Sequence, residues 1–351
     1  MHHVTYNDIS DAVSALEISY SVVPYSLCRL IQNPSFTLSA EPYYSLNDKE
    51  CSRIVGTCNG LICLTGDSER CAFQYFRLWN PATRKISEKF GFHCLYENLA
   101  DRPFPFLDGI IKFSFGCDNS TGTYKVVALG SDQLKQRSIV RILNFGDNFW
   151  REIESLPVVP LMLCSTLNWM AIHHDFHSNL KYASIKQFVI VSLNLGTEKY
   201  NQYRLPCDFD EVPPTPPIVG VLGGFLCCSY FYKETDFVIW QMKELGFEDS
   251  WTQFLKISYQ NLQIDYDYFS YEGDEETEYH FQLVPLLLSE DADTLVLTSR
   301  HESDSILYNW RDNRVERTKI TTSSAITDPR NSNSICWCSA KVYVESLVSN
   351  F

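Results

Sequence analysis

From residue 53 onward the chain is written in short apolar runs that come in pairs, each split by turn-forming residues, and two kinds of pair alternate. The first kind is apolar throughout. Ile54-Val55-Gly56-Thr57-Cys58 and Leu61-Ile62-Cys63-Leu64 flank Asn59-Gly60, the strongest two-residue turn signal because both positions accept a positive φ. Residues 218–222 and 225–228 flank Gly223-Gly224 in the same way, 284–288 and 294–298 flank an acidic turn, and 161–163 with 169–172 make a weaker member. Runs without polar alternation belong to strands buried on both faces.

The second kind is amphipathic and carries an aromatic residue, as an outer hairpin with one wet face should. Residues 76–79 turn at Asn80-Pro81-Ala82-Thr83 into 84–87, and 139–145 turn at Gly146-Asp147-Asn148 into 150–153. Residues 189–193 return as 199–205, 237–242 as 251–257, and 306–310 as 315–320. An inner apolar hairpin followed by an outer amphipathic one makes a four-stranded blade, so the pattern predicts an all-β, β-propeller-like ring. Adding residues 113–129 and the C-terminal strands gives about six blades, or seven, from the usual blade length. A two-layer β-sandwich also uses alternating hairpins, and pattern alone does not separate the two. A ring has to close, because an unpaired sheet edge is a template for aggregation. Lys341-Val342-Tyr343-Val344-Glu345-Ser346-Leu347 alternates as a strand and is expected to pair beside the strands near Ile54.

Composition narrows the function classes. With 351 residues, 45% of them hydrophobic, the chain can bury a sizeable core, which excludes disorder as its overall state. A formal charge of -14 repels a phosphate backbone, so nucleic acid is a poor partner. No apolar run approaches the roughly 20 residues that span a bilayer, and the N-terminus lacks a signal-peptide pattern; a soluble, cytoplasmic or nuclear chain is expected. The 13 Cys are an odd count and several sit inside apolar runs, which reads as reduced thiols used for packing. Cys58-x4-Cys63 and Cys336-x-Cys338 lack the paired spacing of a zinc site.

Residues 1–50 read differently, as a short, partly helical N-terminal segment, with weak helix signals at 11–17 and 26–32; residues 51–351 carry the β pattern. Several stretches could carry chemistry. His173, Asp175 and His177 would share one side of a strand, a spacing compatible with metal ligands, yet Asn179 and Lys181 follow and a polar loop is the simpler reading. The acidic stretch with Asp265, Asp267, Glu272, Asp274, Glu275, Glu276 and Glu278 lacks the spacing of a calcium loop and reads as a solvated or partner-facing loop. Pro213, Pro214, Pro216 and Pro217 read as a stiff connection. Trp79, Trp150, Trp169, Trp240, Trp251 and Trp310, about one per repeat, read mainly as packing, with one or two facing a central opening. No nucleophile elbow, phosphate loop or His-Glu-x-x-His helix occurs, so no catalytic, cofactor or metal residue is assigned.

The same runs carry a family resemblance. Gly56-Thr57-Cys58-Asn59-Gly60-Leu61-Ile62-Cys63-Leu64, Leu78-Trp79-Asn80-Pro81-Ala82-Thr83-Arg84-Lys85, Phe115-Gly116-Cys117-Asp118 with Tyr124-Lys125-Val126-Val127, Leu167-Asn168-Trp169, and the terminal Tyr343-Val344-Glu345-Ser346-Leu347-Val348-Ser349 occur in register. Together they resemble the F-box associated domain of the plant F-box family, including its S-locus group. The resemblance implies a substrate receptor of a Skp-cullin-F-box ubiquitin ligase: an F-box docks the Skp-type adaptor and cullin, and the associated domain holds the target protein. The Leu-Pro opening of an F-box is not seen before Arg53, where residues 26–36 are faintly like the connector behind one, so adaptor binding is expected only with an F-box upstream. The competing expectation is a carbohydrate-binding or metal-dependent propeller enzyme.

Overall fold

The computed structural model describes residues 22–38, 53–66, 73–94, 111–132, 137–163, 167–173, 184–206, 215–233, 235–264, 282–299, 304–322, 337 and 340–347. A short helix, α1 (Leu27–Gln32), and strand β1 (Ser35–Leu38) come first. The first blade holds β2 (Arg53–Cys58), β3 (Leu61–Thr65), β4 (Phe73–Asn80) and β5 (Lys85–Ile86), with β6 (Phe90–Cys94) also pairing with β4. The second holds β7 (Lys112–Asp118), β8 (Thr123–Asp132), β9 (Arg137–Asn144) and β10 (Phe149–Glu152). The third holds β11 (Val158–Leu163), β12 (Asn168–His173), β13 (Phe188–Asn194) and β14 (Lys199–Tyr203). The fourth holds β15 (Ile218–Leu222), β16 (Phe225–Tyr232), β17 (Asp236–Met242) and β18 (Trp251–Ser258). The fifth holds β19 (Leu283–Leu288), β20 (Thr294–Ser299), β21 (Ile306–Asn309) and β22 (Arg314–Arg317). Strand β23 (Lys319–Thr322) then pairs in parallel with β1.

Each blade is an antiparallel meander, and the turn residues account for it. Asn59 and Gly60 take φ 50° and 80°, and Gly223 and Gly224 take 60° and 83°, the left-handed pairs that match the twist of a two-residue hairpin. The second strand of each inner hairpin, such as β3, β12, β16 and β20, is buried on both faces, and in the three middle blades this follows from a neighbouring blade packed on each side. On β12, Trp169 and Ala171 face the second blade's Val127 and Ile142, whereas Met170 and Ile172 face the fourth blade's Val219 and Leu226. The side-chain period of two thus sends alternate residues into two different cores. The cores between the first and second blades, centred on Phe76 and Leu143, and between the fourth and fifth, centred on Phe237 and Leu295, are built likewise.

The all-β propeller expectation is met, but the blade count is corrected from about six to five among the described residues. Residues 113–129 are not a further blade. As β7 and β8 they are the inner hairpin of the blade whose outer hairpin is β9–β10, so they complete a repeat already counted. The described C-terminal residues add no sixth set of strands either. Residues 340–347 carry no ladder and run as a strap over the turn end of the first blade. Thr57 Oγ1 donates to Val342 O at 2.6 Å, and Asn80 Nδ2 donates to Ser346 O at 3.0 Å. Tyr343 packs with Ile54, Tyr75 and Trp79 on the face of the first blade that also takes Val22. The closing contact therefore lies near Ile54 as expected, held by side chains rather than by strand pairing.

Two further ties lock neighbouring blades. The Lys125 ammonium on β8, with only 6% of its side chain exposed, donates to Asp118 Oδ2 at 3.1 Å, to Glu198 Oε1 at 3.1 Å and to the Leu195 carbonyl at 2.6 Å. Glu198 belongs to the third blade and is also gripped by both terminal nitrogens of Arg151, from the second. The Ser120 hydroxyl, and then Lys125, hold the Asp118 carboxyl well below the usual range. Burial would raise Glu198, but Arg151 and Lys125 outweigh it and keep its carboxyl low as well. The second tie is aromatic. Trp150 Nε1 donates to Gly91 O of the first blade at 3.0 Å, and the Trp310 ring meets the fourth blade's Phe254 edge-on at 5.3 Å between centroids.

Candidate protein-binding surface

A cleft of about 640 Å³ opens between the third and fourth blades. Residues 201–203 of β14 form one wall and residues 245–249, from the turn joining β17 to β18, form the other. β14 is the outermost strand of its sheet, bonded to β13 on one side and to no strand on the other among the described residues. Asn201 and Gln202 on it are exposed.

The opposite wall breaks the usual chemistry of turns. Leu245 and Phe247 are 67% and 52% exposed, two large apolar side chains held in solvent around Gly246, whose φ of 96° excludes most other residues. The turn is held by a set of bonds rather than left loose. The Ser250 hydroxyl accepts from Glu244 N at 3.0 Å and donates to Phe247 O at 2.6 Å. Glu248 Oε1 accepts from Arg204 N at 2.7 Å, just past β14, and Trp251 Nε1 donates to Arg204 O at 3.1 Å. The third and fourth blades therefore fix the cleft width between them. Glu244 and Asp249 are exposed and form no ion pair among the described residues. Lys243 is turned away, onto Gln241 Oε1 at 2.6 Å and over the Phe225 ring at 4.4 Å.

The residues singled out in the sequence fare differently. Trp79, Trp169 and Trp240 are buried, and Trp150, Trp251 and Trp310 are the partly exposed clasps between blades, so the expectation that one or two face a central opening is not met. Trp169 and Trp240 pack into the cores between blades, whereas Trp79 packs on the face of the first blade that takes Val22 and Tyr343. Cys63, Cys227 and Cys228 are buried free thiols, and burial pushes the Cys227 thiol up to about 12. His173 is exposed at the end of β12, while Asp175, His177, residues 265–279, Pro213, Pro214 and Cys336 lie outside the described residues. No group of His, Cys, Asp or Glu among the described residues is placed to hold a metal ion, and none of their helices is long and apolar enough to cross a membrane. The cleft residues escaped sequence reading, although Leu-Gly-Phe inside a polar turn is a signal of its own.

Residues 16–350 match the family model of the F-box associated beta propeller domain. The chain belongs to that family. It is 25% identical over 366 residues to an F-box/kelch-repeat protein of Arabidopsis thaliana, covering 99% of this chain and 85% of that one. It is 24% identical over 227 residues to the F-box protein CPR1 of the same plant, covering 58% of this chain and 51% of CPR1. Among solved structures, the Dos1 propeller is similar at a TM-score of 0.37 and 7% identity, over 79% of this chain and 60% of that one. The resemblance segments have structural places: Asp118 and Lys125 are the buried pair, and Gly60, Asn80 and Ser346 meet at the strap.

Proposed function

We propose that this F-box associated domain is the target-holding part of a Skp-cullin-F-box type ubiquitin ligase receptor, a non-catalytic module acting in the cytoplasm or nucleus. The observation that carries the reading is the inter-blade cleft, where a hydrogen-bonded turn presents Leu245 and Phe247 to solvent on a chain of this family. Rigid scaffolds that offer recognition residues from connections are the usual form of a binding module. Family membership and F-box relatives support the receptor role. Recruitment of the Skp-type adaptor and cullin is the part that an F-box would supply; without one, the same domain would hold its target and leave it intact.

The test is affinity recovery of the tagged chain from plant extract, with turnover measured for each protein recovered. A bound protein whose half-life lengthens when the chain is removed, recovered together with adaptor and cullin, fits the ligase receptor. A bound protein without adaptor, whose half-life does not change, fits target binding alone. Recovery of nothing above a mock control would end the receptor reading.

A further inference from the structure

We infer that the cleft between the third and fourth blades binds an extended segment of the target protein in which one Leu or aromatic side chain stands beside Lys or Arg. The inference rests on the receptor reading and deepens it by assigning the site and the chemistry of its occupant.

Three features of the cleft point to that occupant. Its first wall is an edge strand, β14, whose outer side has no strand partner among the described residues. Such an edge carries unpaired N–H and C=O groups, which an extended peptide satisfies and a compact surface does not. Its second wall offers Leu245 and Phe247 at 67% and 52% exposure. Exposed aromatic and aliphatic side chains in a concave site are the usual anchors of recognition, and Gly246 between them leaves open space where a Cβ would meet nothing within 4 Å.

Charge selects the flanking residues. The walls carry Glu248 and Asp249 and no Lys or Arg, with Glu244 exposed two residues before Gly246. Arg204 is the cation facing them from β14's end, and its Nε stands 3.8 Å from Glu248 Oε2, which leaves Asp249 and Glu244 without a counter-charge. Lys243 is committed to Gln241 and Phe225. A whole-chain charge of -14 adds long-range attraction for a basic segment. A segment flanked by acids would meet repulsion at the same wall.

The test uses the full chain and labelled short synthetic peptides in fluorescence polarisation: Leu or Phe between Arg residues, the same cores between Glu residues, and a Ser core between Arg residues. The expected result is binding of the Arg-flanked apolar peptides alone, weakening as salt is raised. Phe247→Ser and Asp249→Lys change exposed side chains, so both variants keep the fold by circular dichroism, and each lowers affinity by about tenfold or more. Equal binding by wild type and both variants overturns the inference, as does equal binding of Glu-flanked peptides or no binding by any member of the set. Failure of the cleft and failure of the receptor reading stay separable. If wild type and Phe247→Ser recover and destabilise the same cellular protein, the cleft assignment falls and the receptor stands. If wild type recovers none, the receptor reading falls, and the peptide result alone decides the cleft.

Discussion

Replacing Lys125 by Met tests whether the blades are locked by buried charge as well as by apolar contact. Met keeps most of the unbranched stem, so packing around β8 is nearly preserved while the ammonium is lost. Three hydrogen bonds disappear, to Asp118, Glu198 and the Leu195 carbonyl. Removing one partner of a buried pair costs about 3 to 5 kcal/mol, because the remaining groups stay desolvated. Here the low end applies, about 3 kcal/mol, since Ser120 still serves Asp118 and Arg151 still serves Glu198. For a chain of 351 residues that lowers Tm by about 4 °C, read by tryptophan fluorescence or calorimetry. Acid adds a second signature. Both carboxyls are held below their usual values, so the stability they contribute is complete above their unfolded pKa and drains away as pH falls toward the folded one. The gap between wild type and Lys125→Met should stay level near neutral pH and narrow below about pH 4. A loss under about 1 kcal/mol, or a gap that ignores acid, would show that the network is worth no more than a surface ion pair and refute the reasoning.

Gly60→Ala places a Cβ 2.3 Å from Ser346 Cβ and 2.8 Å from Ser346 N at a φ of 80°, so the strap must lift. Limited proteolysis should then cut the C-terminal segment of the variant while the wild type resists, with stability down by about 1 kcal/mol or more. Thiol labelling of the native protein should proceed at exposed Cys28 and stall at Cys63, Cys227 and Cys228, with Cys227 gaining little from mildly alkaline pH because burial pushes its thiol up to about 12.

Apolar hairpins whose second strand is buried on both faces announce themselves by their own residues, which is why β2–β3, β15–β16 and β19–β20 are legible. Asn59-Gly60 and Gly223-Gly224 specify the turn, and the absence of polar alternation specifies the burial. The blade count was not legible in the same way. Whether β7–β8 opens a blade or completes one depends on which outer hairpin it pairs with, a long-range choice that local pattern does not encode. The strap misled for a related reason. Residues 341–344 alternate in burial, Tyr343 packing on the first blade while Val342 and Val344 are exposed, but the alternation breaks at exposed Glu345 before Ser346 returns to the blade, and the backbone crosses the turn end instead of pairing along it. Burial alternation marks an extended chain against a surface, whether or not a ladder forms.

The cleft was hidden for a different physical reason, and that reason bears on how the domain works. The segments that carry the family resemblance are accounted for by the scaffold: Asn80 accepts from Thr83 N to close its turn and donates to Ser346 O to hold the strap, Gly60 makes room for Ser346, and Lys125 joins the second blade to the third. Leu245, Phe247 and Asp249 lie outside all of those segments, in a turn whose backbone is held by Ser250 and Glu248 rather than by its own apolar side chains. The exposed side chains of that turn can change without touching any core or any blade contact. A ring built this way separates the residues that keep it folded from the residues free to select a partner, so substitutions at Leu245, Phe247 and Asp249 should alter what is bound while leaving stability within about 0.5 kcal/mol of wild type.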